Sequence, residues 1–200
     1  MNDFSIGQNL SDYLLVVEPH EALKQSIQQI KQHFADQYEC PAARFGKAQI
    51  TLLSFKQVAM AETRWIPRLQ RIITATEPFL VELEDFGNFP THTIFIQVKT
   101  KNQLVALVKS LKPIQSMIKP DNTNKPHFIT DPNLSIARKL AHWQFEQGWR
   151  EFGNSQFSGK FIADHVLLMR KRPEEKKFEI IGRFKMEGVK HTVEQMQLFG

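Results

Sequence analysis

The sequence contains very little of what builds cross-linked, zinc-bound or membrane-spanning proteins. Its 200 residues include one cysteine, Cys40, which excludes a disulfide framework and a zinc ribbon. No apolar run approaches the ~18 residues that a membrane span requires. The first residues, MNDFSIGQNLSDY, have neither the basic nor the apolar segment of a secretory signal. These absences predict a cytoplasmic protein that does not cross a membrane.

The familiar catalytic and nucleotide-binding motifs are also missing. The sequence has no glycine-rich phosphate loop, no nucleophile elbow and no Walker lysine. Its 7 histidines are scattered without the spacing of metal ligands. We therefore expect neither a metal nor a cofactor, and none of these motifs assigns an enzymatic activity.

Composition and charge are those of a globular chain with a basic second half. Hydrophobic residues make up 42% and charged residues 24%, and the length suffices for a substantial core. Residues 1–97 carry 8 Lys and Arg against 11 Asp and Glu, whereas residues 98–200 carry 18 against 10. This asymmetry favours a phosphate-bearing partner, and a solvated basic surface is the alternative.

Hydrophobic periodicity predicts an α+β protein with mostly antiparallel strands. Helices are expected over residues 21–38, 61–75, 102–111 and 143–152, with Pro67 kinking or ending the second of them. A long polar loop is expected at residues 116–131. Strands are expected over residues 12–19, 49–55, 79–86, 91–98, 133–137, 161–169 and 178–186.

Two of these strands begin with the same pattern, a carboxamide followed two positions later by a hydroxyl. Gln49 precedes Thr51 in QITL, and Asn133 precedes Ser135 in NLSI. Because residues i and i+2 of a strand lie on one face, each pair shares a face. If both strands face one cleft, all four side chains can donate hydrogen bonds to phosphate oxygens. The alternative is that each pair marks the solvated side of its strand.

The segments AQITL (residues 48–52) and PNLSIAR (residues 132–138) resemble the two His-x-Thr/Ser motifs of the 2H phosphoesterases. That family includes 2'-5' RNA ligases and RNA 2',3'-cyclic phosphodiesterases. The resemblance implies a single domain over residues 1–200 with two interleaved, pseudo-symmetric lobes. It also implies two antiparallel sheets around a central cleft, with helices outside and motif strands at about residues 48–56 and 132–138.

The resemblance fails at the two positions where the family has histidine, which Gln49 and Asn133 occupy. The family histidines are proposed to act as general base and general acid, because imidazole titrates near neutral pH. A carboxamide has no accessible protonation change. The resemblance therefore implies a protein that binds a nucleotide or RNA phosphate through Gln49, Thr51, Asn133 and Ser135, with little or no turnover.

Two further hypotheses remain open at this point. In one, the protein is an active phosphodiesterase or ligase in which His127, six residues before Asn133, supplies a proton-transfer group. In the other, it is a scaffold or interaction protein without a ligand. His92, at the end of the apolar face of the strand expected over residues 91–98, is expected to pack or cap, with Thr93 on the opposite face.

Several basic residues are candidates for holding the phosphate. Arg44 and Lys47, before the first motif, are expected at the mouth of the cleft. The turn at residues 170–172 and Lys125 in the long loop are further candidates. Arg138 is expected to point away from Ser135 by strand alternation and to form a structural ion pair.

Overall fold

A computed structural model describes residues 10–119 and 121–189 of the chain. The strands within these residues are β1 (Leu10–Val17), β2 (Ile50–Val58), β3 (Phe79–Phe89), β4 (Thr93–Val98), β5 (His127–Phe128), β6 (Asn133–Arg138), β7 (Ser158–Ala163), β8 (His165–Lys171) and β9 (Glu179–Lys185). The helices are α1 (Glu21–Gln37), α2 (Pro41–Phe45), α3 (Glu62–Thr74), α4 (Lys101–Ser110), α5 (Gln115–Ile118) and α6 (His142–Phe152). None of these helices has both the length and the apolar character needed to cross a membrane.

The strands form two antiparallel sheets, which confirms the predicted α+β class. One sheet has five strands in the order β5-β2-β1-β8-β9, and the other has four in the order β6-β4-β3-β7. Every strand pairing in both sheets is antiparallel. Because β2 belongs to the first sheet and β6 to the second, the two motif strands lie in different sheets.

The single strand predicted over residues 161–169 is wrong. Strand β7 ends at Ala163 in the four-stranded sheet, and β8 begins at His165 in the five-stranded sheet. The chain changes sheets at Asp164, between two apolar runs that are nearly continuous in sequence. Such a run predicts buried strand without indicating which sheet buries it.

The helices pack by apolar stripes, as their spacing predicts. In α1, Leu23, Ile27 and Phe34 are buried, and in α3 Trp65 and Ile73 are fully buried. The predicted break at Pro67 does not occur, because α3 continues through it to Thr74. A proline removes one main-chain hydrogen bond, and burial of the stripe on either side outweighs that loss.

The predicted long loop at residues 116–131 is partly ordered structure. Its start belongs to α5, and His127–Phe128 form β5 at the edge of the five-stranded sheet. Leu53 pairs with Phe128, and Ser54 pairs with His127. This pairing fixes the position of His127 relative to the first motif strand.

Candidate functional site

A cavity of about 770 Å³ is lined by residues from both sheets. The structure brings together in it the two polar pairs, Gln49 with Thr51 at the start of β2 and Asn133 with Ser135 in β6. All four residues are partly buried and alternate with buried apolar neighbours. The apolar neighbours anchor each strand in the core, so the polar side chains are turned toward the cavity.

A β-bulge follows the hydroxyl residue of each polar pair. Along β1 and β2, Leu15 pairs with Leu53 and Val16 with Thr51, which leaves Leu52 as the extra residue. Along β4 and β6, Phe95 pairs with Ser135 and Ile94 with Ala137, which leaves Ile136 as the extra residue. A bulge bends its strand and redirects the side chains beyond it. The two motif strands therefore share a local irregularity as well as a sequence pattern.

The bulge at Ile136 corrects the prediction for Arg138. Phe95 and Thr93 lie on one face of β4, and they pair with Ser135 and Arg138 respectively. Arg138 is therefore on the same face as Ser135, and it lines the cavity. Simple alternation predicted the opposite face because a bulge shifts the two-residue period by one position.

The charged side chains that line the cavity all carry one sign. They are Lys31, Lys47, Arg138 and Lys139, and the lining contains no Asp or Glu. The ion pairs of the described residues include none of these four. A cavity lined by uncompensated cations concentrates anions from solution.

Lys31 is the cavity residue that the sequence did not reveal. It lies on α1, is 2% exposed, and donates a hydrogen bond of 2.5 Å from Nζ to the main-chain oxygen of Ser135. Burial, and secondarily the charge of Arg138, lowers the pKa of Lys31 to about 8. The available signal was its position, because Lys31 falls within the apolar stripe four residues after Ile27.

The hydrogen bonds of the polar pairs leave groups available to a ligand. Ser135 Oγ donates to Asn133 Oδ1 over 3.3 Å, and Asn133 Nδ2 donates to the main-chain oxygen of Asp131 over 3.2 Å. Gln49 Oε1 is buried and has no hydrogen-bond partner among the described residues. Because buried polar atoms are normally paired, this oxygen is an acceptor that remains open to a donor group.

An imidazole does line the cavity, but at a position that the sequence did not favour. His92 is exposed in the turn before β4, and its Nδ1 lies 2.6 Å from Thr93 Oγ1. Both residues line the cavity, so the expectation that they face opposite sides is wrong. Because His92 precedes the strand, strand alternation does not apply to it.

His127 and Lys125 lie elsewhere. Both line a separate cavity of about 300 Å³, together with Tyr13 and Phe178. The pairing of His127 with Ser54, three residues beyond Thr51, positions it there. The structure therefore does not bring this histidine to the two polar pairs.

Only some of the basic residues that the sequence predicted at the cleft line the cavity. Lys47 lines the cavity, whereas Arg44 does not, and the Arg44 guanidinium lies 2.6 Å from Asp36. The segment 170–172, predicted as a turn, is also outside the cavity lining, and its first two residues belong to β8. Its side chains form ion pairs with carboxylates. Arg170 Nη2 lies 2.6 Å from Glu179 Oε1, and Lys171 Nζ lies 3.0 Å from Asp12 Oδ2.

The described residues contain no group of three or more His, Cys, Asp or Glu side chains placed to hold a metal ion. The polar side chains that line the cavity carry amide, hydroxyl, ammonium and guanidinium groups and one imidazole. These groups are hydrogen-bond donors and cations, which is the set that proteins use to hold phosphate.

Comparison with known proteins finds a family model that matches more than half of the chain. The model of the 2'-5' RNA ligase superfamily matches residues 19–175. The fold is similar to the crystal structure of LigT from E. coli complexed with 3'-AMP, with 12% identity, a TM-score of 0.56, and coverage of 88% of this chain and 98% of that chain. It is also similar to the crystal structure of TT0787 from Thermus thermophilus, with 15% identity, a TM-score of 0.54 and the same two coverages. No curated protein sequence matches the chain.

Proposed function

Because the chain belongs to the 2'-5' RNA ligase superfamily, we propose that its cavity binds the phosphate of a nucleotide or an RNA end, with little or no phosphodiester turnover. The observation that carries the proposal is the convergence of the two polar pairs in a cavity whose Lys and Arg side chains have no carboxylate among them. The neutral groups orient phosphate oxygens, and the cations supply the attraction. The LigT structure with 3'-AMP supports a ligand of this class.

The proposed lack of turnover rests on the first residue of each polar pair, which is a carboxamide. Gln49 and Asn133 cannot exchange protons near neutral pH, whereas the family's imidazoles can. General acid–base catalysis contributes about 10²–10⁴-fold per group, and groups that act together are not additive. We therefore expect this protein to cleave 2',3'-cyclic nucleotides at least ~10³-fold more slowly than a relative with both histidines.

Restoring the imidazoles tests this proposal directly. The double variant Gln49→His with Asn133→His should gain measurable hydrolysis of a 2',3'-cyclic nucleotide, because the hydroxyls and cations of the cavity are retained. The double variant with alanine at both positions is the matched control, and it should gain nothing. A wild-type rate within about tenfold of an intact relative contradicts the inactive hypothesis.

A second candidate function, an active enzyme with an altered site, is supported by the position of His92. This imidazole lines the cavity, whereas His127, the residue first expected to act, lies at the separate cavity. If the wild type shows turnover, His92→Ala should abolish it and His127→Ala should leave it unchanged. Loss of turnover in His127→Ala alone would contradict this assignment.

A scaffold protein that binds no ligand is the remaining alternative. Calorimetric titration with 3'-AMP and with a short RNA that ends in a phosphate distinguishes it, since a scaffold should bind neither.

The cytoplasmic location expected from the sequence is also a proposal. It is supported by the buried free thiol of Cys40, which suits a reducing compartment.

A further inference from the structure

We propose that Lys31 binds the ligand phosphate and makes the cavity select a phosphate monoester, which carries two negative charges, over a phosphodiester, which carries one. This inference rests on the proposed function, because it specifies which class of phosphate the same cavity prefers. It goes beyond the two motif strands, since Lys31 belongs to α1 and to neither polar pair.

The Lys31 ammonium group is fixed in place with donors to spare. Its Nζ is held at the cavity wall by one hydrogen bond to the main-chain oxygen of Ser135. An ammonium has three donors, and the other two have no hydrogen-bond partner among the described residues. Gly46 has no side chain, and this leaves room beside the Lys31 ammonium group, since a Cβ at residue 46 would lie 3.1 Å from Nζ.

A lysine at this position is costly to the fold. Lys31 is 2% exposed and has no carboxylate partner within the described ranges, so its charge is buried without compensation. Burying an unpaired charge is strongly unfavourable, and a leucine or methionine would continue the apolar stripe of α1 without that penalty. Packing therefore does not explain a lysine here, whereas an anionic ligand does.

Arg138 supplies a second positive charge next to Lys31. It is close enough to disfavour the charged form of Lys31, and both residues line the cavity. A bound dianion compensates both charges, whereas a monoanion leaves one uncompensated. Arg138, Lys47 and Lys139 are all exposed, but among them only Arg138 influences the charge of Lys31, so Lys47 and Lys139 contribute less to the choice between ligands.

The experiment compares two probes at pH 7.5 by calorimetric titration: 3'-AMP, a monoester, and 2',3'-cyclic AMP, a diester. Wild type should bind 3'-AMP at least about tenfold more tightly, since a hydrogen bond between charged groups contributes about that much. Lys31→Gln keeps a donor for the Ser135 oxygen and removes the charge, so the ratio of the two affinities should fall toward one. Lys47→Gln is the matched control and should weaken both probes equally.

The pH dependence supplies a readout that a purely structural lysine would not give. The charged or titratable groups that share the cavity with Lys31 are His92 before β4, Lys47 after α2, and Arg138 and Lys139 at the end of β6. The monoester keeps both charges above pH 7 because its second ionisation is near pH 6. Between pH 7 and pH 9 the charged fraction of a lysine with pKa about 8 falls about tenfold, so wild-type affinity for 3'-AMP should fall by a similar factor. The affinity of Lys31→Gln for 3'-AMP should not show this fall between pH 7 and pH 9.

The possible outcomes separate the two proposals. If both probes bind and Lys31→Gln leaves their ratio unchanged, Lys31 is a structural donor and this proposal is overturned alone. If neither probe binds the wild type, the proposed function is overturned and this inference with it. Should Lys31→Gln fail to fold, Lys31→Met serves in its place. Removing the unpaired charge should raise the melting temperature of the free protein while lowering the affinity for 3'-AMP.

Discussion

Two clusters of positive charge in this protein differ in what surrounds them. In the basic segment at the end of β8, called the turn cluster below, Arg170, Lys171 and Arg172 all have carboxylates within 4.0 Å. In the cavity, the cations that include Lys31 and Arg138 have none among the described residues. The three cations at residues 170–172 are consecutive in the sequence, yet in the folded protein carboxylates neutralise their charge.

The comparison shows that the tertiary structure decides which cations are paired with carboxylates and which remain free to attract a ligand. Two of the carboxylates that neutralise the turn cluster, Asp12 in β1 and Glu62 at the start of α3, come from distant parts of the chain, and the other two, Glu175 and Glu179, are close in sequence. The cavity cations come from separate segments of the chain that meet only when the two sheets pack. Removing one member of a buried ion pair destabilises the folded state, whereas unpaired cations remain available to attract a ligand.

The largest effect on stability is expected when the paired cluster is broken. Arg170→Met removes the partner of Glu62, whose carboxylate also accepts a hydrogen bond of 2.7 Å from Tyr13. Because both members of the ion pair are mostly buried, the free energy of unfolding should fall by about 3 kcal/mol. Urea denaturation measures the change.

The control for this prediction is Arg172→Met, which removes an exposed side chain 3.9 Å from Glu175. It should change the free energy of unfolding by no more than about 0.5 kcal/mol. Neither substitution should alter binding of 3'-AMP. A weaker affinity in Arg170→Met at a temperature where it remains folded would mean that the turn cluster does contribute to the site.

Removing the charge of Lys31 should stabilise the folded state, whereas removing the charge of Arg170 should destabilise it. The pKa of Lys31 is lowered in the folded state to about 8, so the unfolded chain binds more protons between about pH 8 and pH 10.5. Stability rises with pH wherever the unfolded state binds more protons. The contribution of Lys31 is therefore unfavourable below about pH 8 and is relieved as the pH increases.

This prediction is tested by measuring wild type and Lys31→Met in urea at pH 7 and at pH 10. The variant should be more stable at pH 7 by about 2 kcal/mol, and the difference should shrink at pH 10. A variant that is less stable at both values would show that the lysine contributes to folding through its hydrogen bond to Ser135.

Local patterns were sufficient for much of the fold and for part of the site. The expected bounds of the first helix, residues 21–38, differ by one residue from Glu21–Gln37, because the apolar stripe and the helix it predicts are local. The carboxamide and hydroxyl pattern likewise pointed to Gln49 and Ser135, which the structure brings to one cavity. Both results depend only on residues a few positions apart.

The features that the sequence did not reveal depend on distant partners. The bulges at Leu52 and Ile136 exist only relative to the neighbouring strands, and the second of them places Arg138 in the cavity. The pairing of Arg170 with Glu62 joins residues 108 positions apart. A local pattern contains no information about such pairs, and this is why the sequence offered residues 170–172 as a phosphate site and placed Arg138 on the face opposite to Ser135.

Removing one unpaired cation should have a moderate effect on binding. Arg138→Gln should weaken 3'-AMP about tenfold, since it removes a charge-assisted contact from the cavity. For a short RNA it should also reduce the slope of log affinity against log salt by about one. Arg172→Gln is the matched control, and it should leave both quantities unchanged. Equal losses in the two variants would mean that both clusters attract the ligand only through their overall charge.

The smallest expected effect comes from the two basic residues near α2, which the sequence treated alike. Arg44 is paired with Asp36 and lies outside the cavity lining, whereas Lys47 is exposed and lines the cavity. Lys47→Gln should weaken binding of 3'-AMP about threefold, because Lys47 is exposed and, unlike Arg138, does not act together with Lys31, so it contributes less than about 1 kcal/mol. Arg44→Gln should change the affinity less than Lys47→Gln does. Because both variants remove one positive charge, equal affinities would show that pairing with a carboxylate does not decide which cations the ligand encounters.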